Sequence, residues 1–343
     1  MPTTAHVLQQ AQHGDEDAFA QLVTPYRREL HVHCYRMLGS FDDAEDALQD
    51  TLLAAWRGIG GFRAEASVRT WLYRLATNTC LNRRRTTSRR PQAAAPPPGT
   101  APPPNGTDPV TWLQPYPDAL LDALPEPSPG PESRIETRES VSLAFIAAAQ
   151  ALSPRGRAVL VLRDVLGFSG GEVAALLGTS SDAVATQLSR ARTTMRSQHR
   201  SALARGRPTQ DEAMLARRFA DALTARDVEA IVGVLTEDIR VAMPPLPYVW
   251  SGLTAAVPFL TDVAFRPDVQ VRATLTGANR QPALAVHSRA GDRDLWQATG
   301  LLVLTVRGNR IAAVTRFEPD GRFDQYLDTG LRNRDNNSDM SAR

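Results

Sequence analysis

Fourteen of the chain's 25 prolines fall between residues 91 and 131, in runs such as APPPGTAPPP and PEPSPGPE. Proline has no backbone N–H and a fixed φ, so such a stretch cannot propagate a helix or a central strand. A chain of 343 residues is therefore divided here. An extended, partly polyproline tether is expected over residues 91–138, with separate domains on either side. Inside it, WLQPYPDALLDAL (residues 112–124) is apolar enough to bind something. A short helix resting on one of the flanking helical blocks and a solvated linker segment both stay open for it. The Asn- and Asp-rich end, residues 331–343, reads as a disordered tail.

Beyond the tether, residues 153–197 read as three helices. Ser153 and Pro154 supply an N-cap and a first-turn proline, and Val159, Leu162, Val165 and Leu166 recur on one face before Gly167 stops the helix. Ser169 can cap a short second helix whose Val173, Ala174, Leu176 and Leu177 point inward. Gly178 lies where the following tight turn needs positive φ. In the third helix Val184, Leu188, Ala191 and Met195 form one buried stripe. Ser181, Asp182, Ala183, Thr186 and Gln187 occupy the exposed front, with Arg190, Arg192, Arg196 and Arg200 behind. This is a helix-turn-helix layout, in which the front of the last helix meets base edges and the arginines neutralise phosphates. A plain helical bundle with a solvated arginine face fits the periodicity equally well.

The charge distribution favours nucleic acid. All 39 basic residues are arginine, yet the net charge is only +2. The balance runs −6 over residues 1–56, +8 over 57–90, −5 over 91–152, +6 over 153–207 and −1 over the remainder. Two basic blocks flanking an acidic connector suggest two contacts on one polyanion. Ahead of the first basic block, FDDAEDALQDTLLAAWRGI predicts a helix with Ala44, Ala47, Leu48, Leu52, Ala55 and Trp56 inward. Asp42, Asp46 and Asp50 then repeat every four residues outside, where like charges repel. With Gln49 and an exposed Leu53, that face reads as a docking surface for a basic protein. In the next helix, VRTWLYRLATNTCLNRRR, a core face leaves Arg69, Tyr73, Arg74, Asn78 and Asn82 outside, followed by Arg83. Aromatic, amide and guanidinium groups in this mixture suit unpaired DNA bases and their backbone.

Other function classes are less favoured. No apolar run of about 18 residues is present and MPTTAHVLQQ lacks a signal-peptide pattern, so neither membrane insertion nor export is expected. Two cysteines, Cys34 and Cys80, give no disulfide framework and suit a reducing cytoplasm. His31, His33 and Cys34 cluster without a second ligand pair, so ordinary helix packing is favoured over a metal site, and no cofactor is called for.

In this order the motifs resemble bacterial sigma-70 factors of the extracytoplasmic-function type. DAEDALQDTLLAAW resembles their region 2.2, WLYRLATN their region 2.4, and LSPRGRAVLVLRDVLGFSGGEVAALLGTSSDAVATQLSRAR their region 4. The resemblance implies two all-α domains, region 2 over residues 1–90 and a helix-turn-helix region 4 over residues 139–207. It also implies a non-enzymatic role, directing core RNA polymerase to promoter DNA. Asp46, Gln49, Asp50 and Leu53 would face the polymerase β′ clamp helices, while region 4 meets the β flap. The loop Gly61–Ala66 with Arg69, Tyr73, Arg74, Asn78 and Arg83 would capture the −10 element. Ser181, Asp182, Thr186, Gln187, Arg190 and Arg192 would read the −35 element. The family usually carries basic residues where this chain has Ala185 and Gln187, which shifts reliance to Arg190 and Arg192. A helix-turn-helix regulator that binds its duplex site without polymerase is the rival.

Residues 208–330 predict a further, α+β domain. Two helices around Met214–Leu223 and Ile231–Leu235 precede a strand at DIRVAM and a helix at LTAAVPFLTDV. Four segments, DVQVRATLT, PALAVHSRA, LWQATGLLVLTVRG and RIAAVTRFEP, then suggest an antiparallel sheet. The order resembles the SnoaL-like cone fold, whose members include isomerases and cyclases with an acid/base Asp or His in a pocket. Asp238, Trp250, His287, Asp294 and Trp296 are the pocket candidates. No pair among them has a spacing that demands catalysis, so regulation in cis is favoured over an active isomerase or cyclase. A small-molecule ligand and a separate anti-sigma partner both remain open.

Overall fold

Capping side chains set most helix boundaries in the computed structural model, which describes residues 4–64, 66–87, 103–107, 113–122, 139–198, 209–265, 268–291 and 295–327. In chain order come helices α1 (Thr4–Gln12), α2 (Glu16–Val23), α3 (Arg27–Leu38), α4 (Phe41–Gly58) and α5 (Val68–Thr87). Strand β1 (Gly106–Thr107) and helices α6 (Asp118–Asp122), α7 (Leu143–Gln150), α8 (Pro154–Leu160), α9 (Gly170–Leu177) and α10 (Ser181–Gln198) follow. The remainder is α11 (Gln210–Ala225), α12 (Val228–Val234), β2 (Leu235–Ala242), β3 (Tyr248–Ser251), α13 (Leu253–Ala264), β4 (Val269–Ala278), β5 (Gln281–Ala290), β6 (Gln297–Arg307) and β7 (Arg310–Phe317). No helix among the described residues is long and apolar enough to cross a membrane. The chain divides into two compact units, one of residues 1–91, 124–141 and 146–198, the other of 92–123, 142–145 and 199–343.

The first unit is helical. Asp15, Ser40 and Ser153 accept hydrogen bonds from the backbone N–H of Ala18, Asp43 and Gly156, fixing the starts of α2, α4 and α8. Ser169 and Glu172 form a reciprocal capping box at α9, and Gly178 closes that helix at φ 59°. Val184, Leu188, Ala191 and Met195 of α10 are all buried, as their spacing predicts. One departure is that α8 runs into a π-helical segment, Val161–Val165, before Gly167 turns at φ 72°. At the centre lies Arg157, with no exposed surface. Its guanidinium donates to the carbonyls of Met37, Ala149 and Leu152 and to Gln150 Oε1. The α3 C-terminus thus receives a cation at its negative end. Gly39, at φ 77°, permits the approach, because a Cβ there would stand 2.8 Å from Gln150 Nε2.

The second unit is α+β, with a seven-stranded sheet in the order β1-β3-β2-β7-β6-β5-β4. Helices α11, α12 and α13 contribute Phe219, Leu223, Ile231, Phe259 and Leu260 to its core, against Leu284, Leu302, Leu304 and Val314 of the strands. The four last strands, β4 to β7, are antiparallel to one another as expected, and β2, for which no pairing was expected, makes the sheet mixed. β2 runs parallel to β7, pairing Val241 with Val314, while all other pairs are antiparallel. Apolar alternation identifies a strand but carries no record of its direction.

Part of the expected tether also belongs to this unit. β1 extends the sheet edge by pairing with β3, and Asn105 exchanges two side-chain hydrogen bonds of 2.8 Å with the Ser251 backbone. Leu113, Tyr116 and Leu121 are buried. The β4–β5 turn places Asn279 and Arg280 both at φ 59°. Asn279 Oδ1 accepts from Tyr116 N–H at 2.8 Å and its own N–H donates to Tyr116 O at 2.9 Å. Tyr326 Oη donates to Pro115 O at 2.9 Å. Residues 103–107 and 113–122 are therefore neither a solvated linker nor a helix resting on the helical blocks. Proline forbids ladder donation but leaves carbonyls free to accept, which suits edge docking. The runs around residues 95–102 and 125–132 and the tail 331–343 lie outside the described residues.

Replacing Asn279 by glycine keeps the left-handed turn and deletes the acceptor for Tyr116. Asn279→Gly combined with Tyr326→Phe should weaken docking of residues 113–122 by about 1–2 kcal/mol. Faster proteolysis and amide exchange in that segment, with sheet protection largely retained, is the expected readout.

Candidate nucleic-acid interface

Helix α4 presents the acidic face that its spacing predicts. Asp46, Gln49, Asp50 and Leu53 are exposed together, Leu53 at 47%. Yet this face is not electrostatically open. Arg83 of α5 reaches across to it, with Nε 2.8 Å from Asp50 Oδ2, Nη1 3.2 Å from Asp46 Oδ2, and Nη2 also on Asp50. One guanidinium thereby relieves the repulsion between two carboxylates one helical turn apart. Arg83, expected on DNA, is in this structure a partner of the acidic face.

The α5 face divides in two. Arg74, Asn78 and Asn82 are exposed at intervals of four residues, making one polar stripe. Of the two residues expected beside them, Tyr73 faces inward and Arg69, half-buried, is drawn onto Glu29. Tyr73 is fully buried, its hydroxyl donates to Glu29 Oε2 at 3.2 Å, and its ring meets the Phe168 ring edge-on at 5.6 Å. Burial, reinforced by the Glu29 charge, pushes its hydroxyl pKa upward. Arg69 forks Glu29 through Nε at 3.0 Å and Nη2 at 2.9 Å, with its guanidinium 4.8 Å from the Tyr73 ring centroid. The expectation that α5 has one covered side fails here because Phe168 closes over a second. In the preceding loop, Phe62 packs on Trp71 at 5.0 Å and Ala64 adopts φ 57°; Glu65 lies outside the described residues.

Behind this face His33 is fully buried, with Nε2 2.9 Å from Thr77 Oγ1. Burial and then the charges of Arg36 and Arg69 depress its pKa to about 3, so the imidazole is neutral near pH 7. Cys34 and Cys80 are both buried free thiols.

On α10, Ser181, Asp182, Thr186 and Arg190 are exposed as expected. Gln187 is half-buried, and its Oε1 is shielded without a hydrogen-bond partner among the described residues. Arg192 is not free to bind a phosphate: Nε and Nη2 grip the buried Asp164 at 2.8 and 2.6 Å. Beside it a cleft of about 310 Å³ is lined by Arg163, Gly170, Ser181, Ser189, Arg192 and Arg196, among others. Arg163 was not among the residues expected there. Its position depends on the π-helical segment, and helical periodicity gives no signal for that. Arg200 lies outside the described residues.

The pocket candidates of the second unit each meet a different neighbour. Asp238 is exposed on β2 and paired with Arg307, which holds its carboxyl below the usual range. Trp250 is core, stacked on Phe259 at 3.7 Å. His287 pairs with Arg272 across β4 and β5 and meets Phe323 at 5.5 Å; burial, then Arg272, lowers its pKa. Trp296 is 37% exposed near the start of β6, under the guanidinium of Arg289. Asp294 lies outside the described residues.

Comparison with known proteins places Sigma-70 region 2 on residues 22–90 and Sigma-70 region 4 on residues 142–195. The ECF RNA polymerase sigma factor SigG of Mycobacterium tuberculosis is 41% identical over 316 residues, covering 90% of this chain and 83% of SigG. The crystal structure of the extracytoplasmic-function sigma factor SigJ of M. tuberculosis aligns with TM-score 0.59 at 21% identity, covering 87% of this chain and 96% of that one. An NTF2-like protein from Mesorhizobium loti aligns over 35% of this chain and 99% of its own length, at 17% identity and TM-score 0.29.

Two measurements check these placements. Arg192→Ala strands the buried Asp164 carboxylate and should cost about 2–3 kcal/mol, somewhat less than a fully buried pair because Arg192 is partly solvated. Arg190→Ala should cost under about 0.5 kcal/mol in the same denaturant titration. For His33, the unfolded chain binds a proton below pH 6.5 that the folded chain refuses down to about pH 3. Stability should therefore fall as pH drops through that window, with His33 contributing a slope of up to about 1.4 kcal/mol per pH unit. His33→Gln should remove that contribution.

Proposed function

The chain belongs to the extracytoplasmic-function family of RNA polymerase sigma factors, and from that premise we propose how its surfaces divide the work. As a sigma factor it binds core RNA polymerase and directs it to promoter DNA. The exposed α5 stripe of Arg74, Asn78 and Asn82 takes the −10 element as unpaired strand. Asn78 reads a base edge and Arg74 follows the backbone. The outer α10 face, with Ser181, Asp182, Thr186 and Arg190, enters the major groove of the −35 element. Arg163 and Arg196 line the adjoining cleft as phosphate-binding cations, taking the backbone role expected of Arg192. Helix α4 docks on the polymerase through Asp46, Gln49, Asp50 and Leu53. The observation that carries this division is the α5 stripe: exposed amide and guanidinium groups at regular four-residue spacing, opposite a face buried through Leu72, Tyr73, Ala76 and Cys80.

For the second unit we favour a regulatory role over catalysis. Asp238, Trp250, His287 and Trp296 are engaged by different neighbours, whereas a segment between the two sigma regions is bound into the sheet. A domain that holds that segment sets how far apart regions 2 and 4 can reach. The protein works where the polymerase does, in the cytoplasm, and a separate anti-sigma protein would compete for the α4 and α10 faces.

Transcription with purified core polymerase tests the reading. Asn78→Ala should lower promoter opening about 10-fold or more with core affinity unchanged. Arg190→Ala should weaken binding and reduce the salt slope by about one. Specific binding of the chain to duplex promoter without polymerase would instead favour a polymerase-independent regulator.

A further inference from the structure

We propose that Arg83 is an exchangeable group with two alternative partners: the Asp46–Asp50 pair of α4 in the free chain, and DNA phosphates once polymerase cations take its place on those carboxylates. The inference rests on the proposed docking of α4 on polymerase and adds a residue that links docking to DNA affinity.

Three observations carry it. First, Arg83 bridges both acids of the docking face, so in the free protein that face already holds a guanidinium where a basic partner must bind. Second, the contact is open to exchange. The Asp46 and Asp50 side chains are 62% and 52% exposed and Arg83 is 30% exposed. Ion pairs at such exposure shift equilibria by no more than about fivefold. An incoming cation can reach the same carboxylate oxygens without first unfolding anything. Third, Arg83 lies on α5, the helix that carries Arg74, Asn78 and Asn82, and it opens the sequence run Arg83–Arg84–Arg85. A guanidinium released there adds one positive charge at the end of the nucleic-acid helix, where a phosphate contact is sequence-independent.

The contrast with the other ion pairs of the helical unit is instructive. Arg192 grips a carboxylate with 5% side-chain exposure, and Arg69 forks a Glu29 that also holds Tyr73. Asp164 is buried and Glu29 is 24% exposed, against 62% and 52% for Asp46 and Asp50, so both are poorer candidates for exchange. Arg83 alone among these three holds two exposed acids on a face expected to receive a partner.

The test uses the full chain, labelled single-stranded DNA of mixed sequence, and core RNA polymerase. D46N/D50N should bind the DNA about fivefold tighter than E16Q/D17N, which removes the same charge from exposed positions of α2. Adding R83Q to D46N/D50N should abolish that gain. R83Q alone should bind core polymerase two- to fivefold tighter and DNA no tighter than the native chain. A D46N/D50N gain no larger than the control's, or one that survives R83Q, overturns the proposal. So does an R83Q variant whose core affinity is unchanged or weaker while D46N/D50N loses core binding. If D46N/D50N gains DNA affinity in the R83-dependent way yet keeps full core affinity, the docking assignment of α4 fails, and the competition between Asp46–Asp50 and DNA for Arg83 stands.

Discussion

A buried guanidinium with no exposed surface needs its hydrogen bonds met inside the protein, and Arg157 meets them with carbonyl and amide oxygens. Leaving such a cation unpaired would cost several kcal/mol, so the end of α3, the end of α7 and the start of α8 are held to one geometry. That geometry brings the segment after the π-helical turn against α5, where Phe168 packs on Tyr73. The consequence for function is direct. α5 keeps one polar stripe for nucleic acid and gives up the face on which Tyr73 and Arg69 lie.

What the sequence revealed and what it concealed follow from the range of the interactions. The caps at Ser153 and Ser169, the left-handed Gly178 and the α10 stripe were legible because each depends on neighbours within a turn or two. The exposure of Asp46, Gln49, Asp50, Arg74, Asn78 and Arg190 was legible for the same reason. The carboxylate partners of Arg69, Arg83 and Arg192 were not legible because they lie 40, 33 and 28 residues away. An arginine on the polar side of an amphipathic helix has the same periodicity whether it meets water, a phosphate or an aspartate from another helix.

The second unit makes the same point with strands. Alternation located β2 and β4 to β7 but was silent on the parallel β2–β7 pairing. It was also silent on the two residues of β1, which are too few for any period. The proline content of residues 91–131 excluded a packed core of their own and said nothing about a core supplied by another segment. Tyr116 and Leu121 are buried because the β4–β5 turn offers Asn279 to the Tyr116 backbone, a complementarity visible only once the turn is built. The pocket candidates lie on or beside different strands and meet different neighbours, pairings that residue type and spacing alone did not reveal.

Charge in the helical unit therefore sorts by burial rather than by sign. Asp164 fixes Arg192 in place because that carboxylate is shielded, and Glu29, partly exposed, holds Arg69 with Tyr73 as a second partner. Asp46 and Asp50 hold Arg83 with comparable geometry but in water, where attraction between unit charges at contact falls to the order of 1 kcal/mol and competes with any other ion. Similar distances thus describe a structural clamp in one place and a replaceable contact in another. The difference decides which arginines are fixed in the scaffold and which can be exchanged on binding DNA or polymerase.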